Sequence, residues 1–189
     1  AIWVEQGLWH DVRVLEAAAE QFETAIYTPT RAVFGSEWSP GIDGDPRIQI
    51  LHVAGLGDGV QGYASTRDEY PVSIHPRSNQ AELIIVDVDQ AEVGSAAYQD
   101  LLARELTRLI LWHQDRNEAA WVREGLVELS AALAGASTDR IKAAYAEQPG
   151  VSLVVWQNTD AQRGASYLLM TYFHRRFGDD ALRALCAEP

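Results

Sequence analysis

Apolar residues recur at helical spacing in residues 11–34, where Val14, Leu15, Ala18, Phe22, Ala25 and Ile26 line one face and Pro29 stops or restarts the helix. The turn-rich run GSEWSPGIDGDPR comes next, and then IQILHVA (48–54), whose β-branched, apolar content predicts a buried strand. A glycine-rich loop, GLGDGVQG, and the polar stretch YPVSIHPRSNQ separate it from a second predicted strand, ELIIVDV (82–88). From there the period changes from two to 3.6. Tyr98, Leu101, Leu102, Leu106, Leu109 and Ile110 make one helical stripe, with Asp115 and Asn117 offering turn and cap chemistry behind it. A second helix buries Val122, Leu126, Leu129 and Leu133 and ends near Gly135. Further helices are predicted at 137–146, 163–176 and 179–186, the last two separated by Gly178. Few strands, with helices after them, predict an α+β domain in which the helices pack on a small sheet.

Composition narrows what this pattern can do. With 189 residues the chain is long enough for one sizeable core, and residues 1–189 are read as one domain. Fifteen Lys and Arg stand against 27 Asp and Glu, a formal charge of −12, so nucleic acid is a poor partner. No apolar run reaches the ~20 residues that a membrane span needs, and AIWVEQGLWHD lacks the basic end and continuous apolar stretch of a signal peptide. The single Cys186 has no partner for an internal disulfide and reads as a packed or exposed small side chain.

The charged positions of the two central helices carry the chemistry. Arg104-Glu105-Leu106-Thr107-Arg108 has the spacing of His-Glu-x-x-His, in which two imidazoles one turn apart bind zinc and the glutamate acts on a bound water. An arginine keeps its proton and offers no lone pair, so neither Arg104 nor Arg108 can ligate a metal. Two readings of these arginines stay open. In one, the guanidinium groups occupy the place of a metal, pairing with Glu105 and Glu124 or presenting a fork to a carboxylate, phosphate or sulfate. In the other they make ordinary pairs within the helix, Asp100 to Arg104 and Glu105 to Arg108. His113, five residues past Arg108, is turned about 500° from it and falls near the apolar stripe.

The segments FGSEWSPGIDGDPRIQIL, GYASTRDEYP, SNQAEL and HQDRNEAAWVREGLVEL, in that order, resemble landmarks of bacterial gluzincin-type metallopeptidases related to immune inhibitor A, and ASYLLMTYFHRRFGDDAL resembles the closing helices of that family. The resemblance implies a zincin-like domain, a small sheet followed by a helical half. In it Glu105 matches the general base and Glu124, in Trp121-Val122-Arg123-Glu124-Gly125, matches the third zinc ligand, while Arg104 and Arg108 stand where the histidines belong. Tyr167 resembles the tyrosine of the family's Ala-x-Tyr helix. The place of His113 before the loop and the family's Trp-polar-x-Asp pattern imply a structural histidine fixing the turn before Asn117. With those two arginines, the resemblance implies a domain that holds neither zinc nor another cofactor and acts as a binding or scaffold domain for a peptide or small molecule in the former cleft. The alternative is a metal-independent hydrolase, for example glycosidase-like, with Glu105 and Glu124 as acid and base and an arginine stabilising the oxyanion. A secreted or cell-envelope parent is a further implication of the resemblance.

Other motifs resolve to structure. Gly57-Asp-Gly59-Val-Gln-Gly62 matches G-x-G-x-x-G, but no apolar helix start comes after it, so it reads as a loop. Asp43 and Asp45 in GIDGDP read as turn residues. Trp112 and Trp121 are expected to pack the helix pair, and Trp3, Trp9, Trp38 and Trp156 have no assigned place; exposed aromatic rings can also bind sugars.

Overall fold

A computed structural model describes residues 1–187. Four strands, β1 (Ile2–Val4), β2 (Gln49–Val53), β3 (Gly62–Ala64) and β4 (Leu83–Asp87), form one mixed sheet in the order β1-β2-β4-β3. The first three in that order run parallel and β3 is an antiparallel edge. The helices are α1 (Val12–Gln21), α2 (Thr28–Phe34), α3 (Ala96–Gln114), α4 (Ala120–Leu133), α5 (Asp139–Glu147) and α6 (Asp160–Ala187), making an α+β fold with a small sheet.

Both strands expected from the sequence are present. The three-residue strands β1 and β3 are additions: they are too short to show a period, and their partners on β2 and β4 define them. Because β1 and β2 are parallel, the chain needs a long crossover between them, which α1 and α2 provide.

That crossover is one continuous helical run with a π-helical segment, Phe22–Tyr27, at its centre. Ala18, Phe22, Ile26, Thr30 and Phe34 are buried, each four residues after the last. A strict spacing of four drifts steadily around an α-helix of 3.6 residues per turn. The wider i→i+5 turns, closed by the Thr28 amide on the Glu23 carbonyl, rotate less per residue and keep this row on the core side. Part of the expected face is corrected: the change of phase leaves Ala25 exposed, and Val14, in the first turn of α1, is exposed as well. Pro29 sits in the first turn of α2, directly after the π-helical segment, so it restarts the α-helical phase without ending the run.

The α3 stripe is buried as its spacing requires, from Tyr98 to Ile110. Ser95 caps the helix by accepting from the Tyr98 amide. Two expectations at its far end are corrected. His113 is exposed, and the turn is instead fixed by Asp115, whose carboxylate accepts from the Asn117 amide at 2.8 Å. Leu133, in the last turn of α4, is exposed, and Ala134 after it is the residue that packs against the core. Gly178 bends α6 with a left-handed φ of 82°, where the sequence placed a helix break. Cys186 packs in the core as a free thiol. The loop before β3 carries Gly57 and Gly59 at positive φ, and Asp43 and Asp45 accept from amides two residues on, so both motifs are turns. Among the described residues no helix is long and apolar enough to cross a membrane.

Candidate site: an arginine–glutamate ladder between α3 and α4

Two close approaches set the helices. Thr107 Oγ1 donates to the Ala103 carbonyl at 2.8 Å and accepts from Ser130 Oγ at 2.6 Å, which pins α3 to α4. On the next face of α4, Gly125 lies so near α6 that a Cβ would sit 2.8 Å from Ser166 O and from Met170 Cγ. Glycine therefore lets α6 approach α4 and brings Arg163 over the acidic face of α4.

That face carries Glu124 and Glu128, one turn apart, opposite Arg108 and Arg104, also one turn apart. The helices run antiparallel, so a step up one is a step down the other, and the pairs match as rungs. Arg108 makes a two-pronged bond to Glu124, Nη1 donating to Oε1 at 2.6 Å and Nη2 to Oε2 at 3.0 Å. Arg104 Nη1 lies 2.5 Å from Glu128 Oε2, an ion pair at an angle unsuited to a hydrogen bond. Arg163 Nη1 donates to Glu128 Oε1 at 3.2 Å and its Nη2 stands 3.7 Å from Glu124 Oε2. Arg163 is itself steadied by Asn158, and the preceding loop is tied by Gln162 to the carbonyls of Ser152 and Val155.

The pairs within α3 and the pairs across to α4 form together. Within α3, Arg104 Nε donates to Asp100 at 2.7 Å and Arg108 Nε to Glu105 at 3.3 Å, while the remaining guanidinium nitrogens reach across to α4. Glu105 Oε2 also accepts from the Ala64 amide at 3.0 Å, so it ties α3 to the edge strand β3 and occupies an amide that an exposed edge would offer to another chain. Tyr167 packs partly buried against the core on α6 and makes no hydrogen bond to this ladder among the described residues.

Burial and charge act differently on the two matched glutamates. Burial raises the Glu105 carboxyl above the ordinary glutamate range, more than the Arg108 charge and the Ala64 amide lower it. Burial pushes Glu124 the same way, but the hydrogen bonds and charge of Arg108, with the charges of Arg163 and Arg123, carry it below that range. Arg104 and Arg108 are held above the usual arginine value because their carboxylate partners outweigh the cost of burial.

Glu128 and Arg163 were not read from the sequence as site residues. Glu128 follows Glu124 by one turn and so shares its face, which is a signal the sequence holds. Arg163 arrives only through the packing of α6 on α4, which no local pattern reports. A second group of acids is also buried: Glu37, Glu69 and Glu82, from FGSEWSP, RDEYP and SNQAEL. Neither carboxylate oxygen of Glu69 has a hydrogen-bond partner. Among the described residues no group of three His, Cys, Asp or Glu is arranged to hold a metal ion. No protein-family model, curated protein or solved structure matches the chain.

Proposed function

We propose that this chain is a metallopeptidase-like, zincin-type domain whose metal position is filled by guanidinium groups, and that it serves as a zinc-free binding or scaffold domain for a peptide or small molecule. The two-pronged bond of Arg108 to Glu124 carries the reading, because it spends both oxygens of the glutamate that matches the third zinc ligand. The donor set does not suit zinc: two matched ligand positions are arginines, which have no lone pair to give. Exposed Val154 and Val155, on the loop that precedes α6, supply apolar surface for a partner.

The test is zinc content by elemental analysis of the purified protein beside the Arg104→His, Arg108→His double variant. The expected result is no stoichiometric zinc in the natural sequence and one zinc per chain in the variant, as Glu124 is released to a pair of imidazoles. Tightly bound zinc in the natural sequence sinks the zinc-free reading, and no zinc in the variant sinks the metallopeptidase-like one.

The opposed displacements of Glu105 and Glu124 favour a second reading, metal-independent acid and base catalysis by that pair with arginine stabilising developing negative charge. It ranks below the first because all four oxygens already have partners in the ladder and the edge strand. Turnover of any glycoside or ester that disappears in Glu105→Gln would raise it above the first.

A further inference from the structure

The sheet has two unlike faces. The face carrying Ile2, Ile50, Ile84 and Val86 belongs to the core with the helices. On the other, the strand register sets Trp3, Leu51, Ile85 and Tyr63 abreast, one from each strand. None of these four is buried: Trp3 is 58% exposed and Tyr63 37%, and Leu51 and Ile85 between them are half-buried. Both aromatic rings stand on edge strands three strand spacings apart, roughly 14 Å.

An exposed tryptophan ordinarily samples several rotamers, but this one is fixed. Its Nε1 donates to Gln49 Oε1 at 2.7 Å, and Gln49 is only 8% exposed. The amide nitrogen of Gln49 is held in turn by Asp45 Oδ2 and the Arg47 carbonyl at 3.4 and 3.3 Å, and Arg47 grips Asp45. Beside the pinned ring lies a broad, open hollow of about 570 Å³, with Leu51 and Leu83 as its floor and Asp43, Asn79 and Gln80 at its rim.

From this geometry we infer that the uncovered face of the sheet is a carbohydrate-binding surface for a neutral oligosaccharide. A sugar ring has an apolar C–H face, which a rigid indole matches, and a rim of hydroxyls, each donor and acceptor, which planar amides and carboxylates match. Two aromatic platforms about 14 Å apart suit a chain of about three sugar rings laid across the strands. Charge weighs against other occupants. Asp43 lines the hollow, Asp45 beside it is paired with Arg47, and the chain carries −12, so the net field disfavours an anionic glycan or a second copy. A peptide adding as a strand needs a free sheet edge rather than a face of side chains.

The test is titration of the full chain with cellohexaose, chitohexaose and mannohexaose, followed by tryptophan fluorescence and calorimetry. At least one of the three is expected to bind, and Trp3→Ala to weaken it by about tenfold or more, a loss of about 1.4 kcal/mol. Trp9→Ala, which removes another exposed tryptophan outside this face, leaves binding within about twofold. Tyr63→Ala gives a second, independent loss should Trp3→Ala fail to fold. The inference is overturned by no binding of any of the three sugars, by binding unchanged in both Trp3→Ala and Tyr63→Ala, or by stronger binding of polygalacturonate. Sedimentation showing a dimer that Trp3→Ala dissolves also overturns it, because the face would then be a contact between copies.

Discussion

Arg108 is the residue on which the candidate site turns, because it touches both carboxylates that the sequence singles out. Replacing it by methionine leaves Glu124 buried with only Arg163 and Arg123 nearby, at 3.7 and 3.8 Å. A fully buried pair broken on one side loses about 3–5 kcal/mol; here, with Arg108 about a quarter exposed, Arg108→Met is expected to cost roughly 2 kcal/mol in urea unfolding. Adding Glu124→Met should recover most of that loss, since removing both charges also removes their desolvation. If the double variant is as unstable as the single one, packing around the guanidinium matters more than the ion pair. Spacing within one helix grouped Arg104, Glu105 and Arg108, because a helix has a fixed period, whereas Glu124, on the next helix, was joined to them only by the resemblance of Trp121-Val122-Arg123-Glu124-Gly125. It did not show Arg163, or that Glu105 would be spent on the Ala64 amide, because both contacts join segments tens of residues apart. The same limit applies to Tyr167, whose helix was foreseen but whose neighbours were not.

At the scale of elements, the site depends on how closely α6 can lie on its neighbours. Gly164, next to Arg163, is the tightest point: a Cβ there would stand 2.1 Å from the Ile141 carbonyl oxygen and 2.9 Å from Tyr145 Cβ, both on α5. Gly164→Ala must therefore push the helices apart, with an expected cost of about 1–3 kcal/mol read as a lowered thermal midpoint. Gly150→Ala is the control, since nothing lies within 4 Å of its Cβ position, and it should unfold like the natural sequence. Equal midpoints for the two variants would show that α5 yields freely. Such close glycines explain which parts of the fold were legible. The long helices and the two five-residue strands have enough turns or alternations to announce themselves, and the break at Gly178 lies where the sequence put it. The three-residue strands have no period. The π-helical segment is visible only as five buried residues at a spacing of four; an α-helical reading finds Ala18, Phe22 and Ile26 on that face but adds Ala25, which is exposed.

For the molecule as a whole, two of the clusters of buried acids have opposite consequences for pH. In the ladder, arginines hold Glu124 ionised and below its ordinary range, so its contribution is complete above about pH 4.5 and is lost as pH falls through its lowered value. In the second cluster arginine is too sparse. Burial, then the neighbouring Glu82, raise Glu69 to about 8 against the weaker pull of Arg116, and burial foremost raises Glu82 to about 7. Both carboxyls start from 4.5, so between pH 4.5 and 8 the folded chain holds protons that the unfolded chain has released. Stability from these two groups is therefore present in full below pH 4.5 and declines as pH rises towards 8. His52, buried and lowered, works in the other direction up to pH 6.5, so a single titration mixes the two. Glu69→Gln separates them, because glutamine keeps the shape of the protonated acid and cannot ionise. Denaturant unfolding at pH 5 and pH 8 is expected to show the variant gaining on the natural sequence by roughly 3 kcal/mol between the two, at about 1.4 kcal/mol per pH unit of displacement. A constant difference across that range would mean that Glu69 is ionised in the fold at pH 5, and that a cation or a rearranged Arg116 satisfies it.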